Sequence, residues 1–389
     1  MSAVLNATRI PARSRLVLDP VVVGITAALL LLGLVMVTSA SVTLAAREGD
    51  PFFFVERQLL FALFGTGCAA IAVRVPTAAW QKLSMPLLVV SFMLLMLVLV
   101  PHIGHEVNGS KRWLRLAGLN FQASEAARVL LLLYLCSYIV RREEEVRESV
   151  PGFLKPLAVL GVAALLLLLE PDFGSGVVLL TTGIGVLFLA GVKLRHFLAL
   201  CVVALIAFAG LAVSSAYRVR RLTTFLDPWA DPFNTGFQLT QSLIAIGRGE
   251  WTGVGLGASI QKLFYLPEAH TDFVFAVLAE ELGFVGIALV VALVVALVYR
   301  SLMIARAAAE AGLKFQAYLA AAFGIWFGLQ AFINMGVNMG LLPTKGLTLP
   351  LLSYGRSSLV VTLGWIGILL RVHHETACTK AVALKGAAR

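Results

Sequence analysis

Long apolar runs separated by short polar stretches dominate the chain from residue 21 to residue 371. Ten of them approach the roughly 20 residues that a helix needs to cross a hydrocarbon core. They are 21–44, 57–73, 84–100, 123–140, 155–170, 175–192, 196–214, 272–299, 314–337 and 353–371. In lipid such a run folds as a helix, because a helix satisfies its backbone hydrogen bonds internally. The pattern therefore predicts an all-α polytopic membrane protein of ten transmembrane helices, residues 21–371, between an N-terminal tail, 1–20, and a C-terminal tail, 372–389. No internal repeat or interdomain linker is visible. An even number of spans puts both termini on one side. Connections on that side are short, and the run RREEEVRES at 141–149 reads as a solvated loop. Three connections on the other side are long: 101–122, 338–352 and 215–271, the last between the seventh and eighth helices. Long loops in compact architecture are functional or disordered. The Trp, Pro, Gly and paired charges in these argue against disorder.

Composition sharpens the class. With 59% hydrophobic and 13% charged residues and a mean hydropathy of +0.91, the chain departs from soluble domains, which run near ~45–50% apolar and ~25% charged. A net charge of +10 would suit nucleic acid in a soluble protein. Here it is expected to serve loop topology and anionic lipid or substrate, with no nucleic-acid partner. Lys and Arg favour the side of the termini, as in Arg9, Arg13, Arg15, Arg141, Arg142, Arg147, Arg371, Lys380 and Lys385, which orients both tails to the cytoplasm. The N-terminus carries no cleavage site ahead of the first span and reads as a tail rather than a signal peptide. Cys68, Cys136, Cys201 and Cys378 show no metal-ligand spacing, so neither a disulfide nor a zinc site is expected.

Ionisable residues at membrane depth are costly and default to functional candidates. Asp272, in LPEAHTDFVFAVLAEELG, opens the eighth span. It is either a helix-start carboxylate, favoured there by the dipole, or a reactive group. Glu280 and Glu281 lie about 12 Å deeper at ~1.5 Å per residue. They are rotated from Asp272 by ~80° and ~180°, so packing or a polar network is their expected role. Glu125 and Arg128 share a helix face, as a packing ion pair or as substrate contacts. Asp172, in EPDFGSG, is a turn carboxylate or a ligand. Lys111, Arg112 and Arg115 flank Trp113. Cation plus aromatic suits a phosphate headgroup, and equally an aromatic-belt anchor. GVGLG at 253–257 mimics part of a dinucleotide fingerprint but follows no buried strand. His102, His105 and His270 lack the spacing of a closed metal site.

The segments VNGSKRWLRLAG, FQASEAAR, EPDFGSG, FLDPWADPFNTGFQLTQSLIAIGRGEWTGVGLG, LPEAHTDFVFAVLAEELG and GLLPTKGLTLPLLSYGRSS together resemble the SEDS family (shape, elongation, division and sporulation). The match runs in family order over about residues 20–375, nearer the division member than the elongation member. The resemblance implies a peptidoglycan glycosyltransferase of septal wall synthesis. Such an enzyme polymerises lipid II outside the cytoplasmic membrane and releases undecaprenyl pyrophosphate. It implies Asp272 of the HTDF motif as the essential acid, beside His270 and Thr271. It implies substrate contacts at Arg57, Arg112, Glu125 and Arg128. His270, Thr271, Lys111, Trp113, Asp172, Lys345, Ser353, Ser357 and Ser358 join them as substrate contacts from the same motifs, and Arg356, where the family has glycine, is an added phosphate contact. It also implies a class B penicillin-binding protein and a divisome regulatory subcomplex as partners. Two departures stand out. QASE replaces the usual QPSE, losing a helix-start proline. SYGRSS replaces SYGGSS, so Arg356 adds a cation and gives up a glycine's backbone freedom.

Making a β bond from an α-linked donor inverts the anomeric carbon. That needs a base for the acceptor hydroxyl on one face and charge stabilisation for pyrophosphate on the other. Asp272 is the candidate base. Arg57, Lys111, Arg112, Arg128, Lys345 and Arg356 are candidates for the leaving group. A divalent cation, Mg2+ or Mn2+, could share that task, and no organic cofactor is expected. The helix start should lower the Asp272 pKa and desolvation should raise it. The rival reading is a lipid II flippase with the intramembrane charges as gates. Against it, the special residues gather at the outer mouth rather than at the midplane.

Overall fold

The computed structural model describes residues 16–47, 49–107, 110–116, 119–213, 225–343 and 346–387. Its first half runs α1 (Pro20–Arg47), α2 (Phe53–Ala72), α3 (Thr77–Lys82), α4 (Ser84–Leu99), β1 (Gly104–Val107), β2 (Ser110–Leu116), β3 (Leu119–Gln122), α5 (Ala123–Arg141) and α6 (Glu143–Glu148). The second half runs α7 (Val150–Leu169), α8 (Phe173–Leu189), α9 (Leu194–Val213), α10 (Phe237–Gly249), α11 (Val274–Glu310), α12 (Lys314–Asn338) and α13 (Arg356–Ala387). A 3-10 turn, Pro228–Ala230, precedes α10. Ten of these helices fall on the ten apolar runs. Among the described residues seven are long and apolar enough to cross a membrane by length and composition, and α4 and α8 are shorter apolar helices.

The helices pack chiefly as α11 on α12, α13 on α2, α4 on α5 and α7 on α8. α5 and α12 are enclosed by the others. Their interior face is filled by Trp326, Phe323 and Phe327 of α12, with Trp326 stacked on Trp365 of α13 at 4.9 Å between ring centroids.

Four segments besides the eighth span differ from the sequence expectation. The 141–149 stretch contains the short helix α6, whose first turn holds Glu143, Glu144 and Glu145 and whose last holds Arg147. Those charges suit the two ends of the helix dipole. The 101–122 segment is a three-stranded antiparallel sheet, with Trp113 opposite His105 on one side and Gln122 on the other. β2 alternates Arg112 and Leu114 with Trp113 and Arg115, so one face is turned inward. Leu114 fills that face against Val98 and Ala123. The 215–271 loop carries α10. The last helix continues past 371 to Ala387.

The eighth span departs most. α11 extends to Glu310 and is broken at Gly283, where φ is 63°. The break frees backbone groups at membrane depth, and the segment 250–255 takes them up. Val254 N and Gly255 N donate to the carbonyls of Glu280 and Glu281 at 3.0 and 3.1 Å. In return Phe284 N and Val285 N donate to the carbonyls of Glu250 and Trp251 at 2.9 and 3.2 Å. Irregular backbone is tolerated in lipid where protein re-satisfies it in this way. A Cβ at Gly283 would lie 2.4 Å from Gly253 N, and one at Gly253 would lie 2.1 Å from Glu281 O. Both positions have positive φ, so only glycine fits either. GVGLG thus serves a helix junction.

Glu280 and Glu281 lock the same junction, in the network role their rotation predicts. The Glu280 carboxylate accepts from Arg248 Nη1 at 3.0 Å, Ile260 N at 3.1 Å, Gln261 N at 3.3 Å and the Ser259 hydroxyl. Glu281 accepts from Lys262 Nζ at 2.8 Å and Ser39 Oγ at 2.6 Å. The 259–262 stretch is thereby clamped to α1 and α11 beside the break at Gly283.

Candidate active site

Asp272 stands two residues ahead of α11. The N-cap is Phe273, and no side chain of its own caps the helix. The carboxylate is therefore not a helix cap, and it is half-buried. The turn beneath it is tied to Glu268: Thr271 N and Phe273 N both donate to Glu268 O at 3.2 Å, and Thr271 Oγ1 donates to Glu268 Oε2 at 2.7 Å. On its other side Gly346 comes so near that a Cβ there would lie 3.1 Å from Asp272 Oδ2. Burial and then the Glu268 carboxylate push the Asp272 pKa up, Arg112 opposes them and Asp172 adds to them, and the result is about 7. Desolvation outweighs the helix start. A carboxyl with that value is matched to general-base work at neutral pH.

Arg112 projects from β2 and is half-buried. Its Nε donates to Glu170 O at 3.3 Å and its Nη2 donates to Pro171 O. The EPD turn thus fixes the guanidinium within electrostatic reach of Asp272. Glu170 is buried with neither carboxylate oxygen hydrogen-bonded. Burial, then Asp172, push its pKa to about 8 against the pull of Arg112. Asp172 spends both oxygens on the protein: Oδ1 accepts from Ser175 N at 3.2 Å, capping α8, and Oδ2 accepts from Ser124 Oγ at 2.9 Å. It takes the turn role that the sequence left open.

Glu125 and Arg128 form an ion pair at 2.5 Å, with Arg128 fully buried. Arg128 Nη1 donates to Gln330 Oε1 at 3.3 Å, so the pair ties α5 to α12. The serines of SYGRSS are likewise engaged. Ser353 Oγ accepts from Leu349 N at 2.8 Å, Ser357 Oγ from Gln122 N at 2.9 Å and Ser358 Oγ from Thr348 Oγ1 at 3.2 Å. They hold the 347–358 segment to itself and to β3. His270 packs between Phe54 and Tyr354, with centroids 4.7 and 5.6 Å away. Burial lowers its pKa against the pull of Glu268. Arg57 is exposed with its guanidinium 3.8 Å from the Phe53 ring centroid, and Arg356 is half-buried. Both oppose the rise that burial imposes on the Tyr354 pKa, which places their charges beside that ring. Trp113 is half-buried at the centre of the sheet. Lys345 and the Lys111 side chain lie outside the described residues.

The structure therefore groups Asp272, Thr271, Glu268, Gly346 and Arg112 together, with His270, Arg57 and Arg356 around Tyr354. It sets Asp172, Glu125, Arg128 and the three serines behind them as supports. The sequence reading missed Glu268, Glu170 and the amides Gln330, Asn334 and Asn338 of α12. The amides carried a signal, since they recur every four residues along an apolar helix. Among the described residues no three His, Cys, Asp or Glu side chains could hold a metal ion together. A Mg2+ or Mn2+ ion at the pyrophosphate would take most of its ligands from phosphate oxygens and water, as Mg2+ commonly does.

Comparison with known proteins fits this picture. A family model described as cell cycle protein, covering FtsW, RodA and SpoVE, matches residues 20–378. The chain is 58% identical over 350 residues to the Probable peptidoglycan glycosyltransferase FtsW of Thioalkalivibrio sulfidiphilus, covering 90% of this chain and 88% of that one. It is 53% identical over 358 residues to the protein of the same name from Legionella pneumophila, with 92% and 91% covered. Among solved structures it resembles a chain from a peptidoglycan synthase complex that coordinates polymerization and crosslinking. That match has a TM-score of 0.75 and 34% identity over 93% of this chain and 99% of the other. It also resembles the rod shape determining protein RodA of Thermus thermophilus, with a TM-score of 0.68 and 30% identity over 92% and 97%.

Proposed function

The chain belongs to the FtsW, RodA and SpoVE family of cell cycle proteins, and on that footing we propose that it polymerises lipid II with Asp272 as the general base. It is a multi-pass membrane protein and a peptidoglycan glycosyltransferase. The observation that carries the catalytic assignment is the Asp272 carboxylate. It caps no helix and sits half-buried, with its pKa pushed to about 7 within the field of Arg112.

In this reading Asp272 takes the proton from the acceptor sugar hydroxyl as that oxygen attacks the anomeric carbon of the donor. The bond from that carbon to pyrophosphate breaks on the opposite face. The electron pair leaves with undecaprenyl pyrophosphate, and the proton stays on Asp272 until solvent removes it. No proton donor is needed for the leaving group. A positioned base contributes about 10²–10⁴-fold, and fixed donors aimed at developing charge contribute about 3–4 kcal/mol each. Arg112 supplies the fixed charge, because its guanidinium is already bonded to two carbonyls and need not reorganise. Arg57 and Arg356 flank the approach to the site. Arg128 acts from behind, through Gln330.

Both lipid-linked substrates can stay anchored in the bilayer while their sugars meet at the outer mouth. We place that mouth on the periplasmic side, both termini in the cytoplasm and the enzyme at the division septum. The relative that coordinates polymerization with crosslinking supports a transpeptidase partner, which we assign as a class B penicillin-binding protein working with a divisome regulatory subcomplex. Purified protein in detergent, supplied with lipid II, is expected to yield glycan chains. A flippase would yield none, because detergent leaves no second compartment to fill.

A further inference from the structure

The amide side chains of Asn334 and Asn338 converge on one backbone atom, the carbonyl oxygen of Asp272. Asn334 Nδ2 donates to it at 2.9 Å and Asn338 Nδ2 at 3.0 Å. The remaining hydrogen of each amide is also committed, Asn334 to Leu347 O at 2.6 Å and Asn338 to Asn334 O at 2.9 Å. Asn338 Oδ1 accepts from Ala276 N at 3.1 Å, a first-turn N–H that it shares with the Phe273 carbonyl at 3.0 Å. Asn338 therefore performs from α12 the side-chain capping that Phe273 cannot perform on α11. Leu347 follows Gly346, which lies against Asp272 Oδ2. One pair of side chains thus fixes the Asp272 carbonyl, the first turn of its helix and the segment walling its carboxylate.

Two further facts set these amides apart from ordinary packing. They are 1% and 0% exposed, so neither can touch a substrate. Asn334 also keeps its Oδ1 buried without a hydrogen-bond partner, a cost that a leucine of similar size would not carry. The ladder continues one turn up α12 to Gln330, which donates to Thr348 O at 3.2 Å and accepts from Arg128. The ion pair of α5 thus bears on the same segment.

We propose that Asn334 and Asn338 are positioning residues for glycosyl transfer, holding the Asp272 carboxylate at the angle from which it meets the acceptor hydroxyl. This rests on Asp272 being the base. A misplacement of about 1 Å at a reacting group can cost on the order of 100-fold in rate, so two buried amides can govern turnover without meeting the substrate.

The test uses the full chain purified in detergent, comparing Asn338→Leu, Asn334→Leu and Asn338→Ser with wild type and with Asp272→Asn. Initial rates of lipid II polymerisation are measured against lipid II concentration and against pH, and melting temperatures are recorded. For the Leu variants kcat is expected to fall about 10- to 100-fold with KM within about twofold, and the acidic limb of the pH profile is expected to move. Asn338→Ser keeps a short hydroxyl donor and acceptor and is expected to regain part of the rate. Wild-type kcat and pH limb in folded Leu variants would overturn the proposal. So would a loss of kcat that tracks a loss of melting temperature in the Leu and Ser variants alike. If Asp272→Asn is inactive while the asparagine variants behave as wild type, only this inference falls. If Asp272→Asn polymerises at the wild-type rate, the base assignment falls and takes this inference with it.

Discussion

Asp272→Asn is expected to lower lipid II polymerisation by about 10²–10⁴-fold without lowering the melting temperature, since the raised pKa makes the charged carboxylate a cost to the fold. The amide has the volume of the carboxyl but cannot accept a proton from the acceptor hydroxyl. Nothing in the local fold depends on the charge. The carboxylate caps no helix, and the turn is held by backbone bonds to Glu268 and by the asparagines of α12. Folding and catalysis should separate cleanly at this position. Glycan product from purified variants, measured with thermal unfolding in the same detergent, gives both numbers. A variant that unfolds with its loss of rate would place Asp272 in the scaffold instead.

Lys262→Met carries the largest expected effect on stability. Lys262 is 6% exposed and its ammonium lies 2.8 Å from Glu281, which is fully buried. Removing one member of a buried pair leaves an uncompensated charge and costs about 3–5 kcal/mol. Glu281 would keep its bonds from Ser39 and Ser259 N, which soften the loss without cancelling the charge. The damage should spread to activity, because the clamp holds the loop that splices the break at Gly283, about three turns from Asp272. Replacing both members, Lys262→Met with Glu281→Gln, is expected to recover most of the stability, since no lone charge remains. Unfolding free energies of the two single variants and the double variant would measure the coupling. Equal losses in all three would mean that packing, rather than charge pairing, holds the loop.

Much of this architecture was legible in the chain. Ten helices lie on the ten apolar runs, because segment length and hydropathy decide spans almost alone. Asp272 stood out as a carboxylate at the mouth of a span. The arithmetic of helix rotation was enough to separate Glu280 and Glu281 from it. What stayed hidden needed a partner from elsewhere in the chain. Gly283 reads as one small residue in an apolar helix, and its break exists only because Gly253 and its neighbours donate and accept across it. The resemblance offered Ser353, Ser357 and Ser358 as contacts and the sequence left Asp172 open between turn and ligand; the backbone N–H and hydroxyl partners of their oxygens are ones that spacing cannot reveal. The β-strands of 104–122 were masked by their charge, since KRWLR reads first as a headgroup site. Asn334 and Asn338 passed as tolerable polar residues in α12. Their importance lies in the single carbonyl they share, 62 and 66 positions away.

The pH dependence of polymerisation by the purified wild-type enzyme tests the catalytic claim most directly. Asp272 must be deprotonated to act, so activity should rise with pH through its pKa. The account predicts an ascending limb with its midpoint at about 7, falling about tenfold per unit on the acid side, and no such limb in the residual activity of Asp272→Asn. An Asp at the ordinary value of 3.8 would leave the rate level across the neutral range. A flat profile from about pH 5 to about pH 8, or the same limb in Asp272→Asn, would contradict the assignment of this carboxylate as the base.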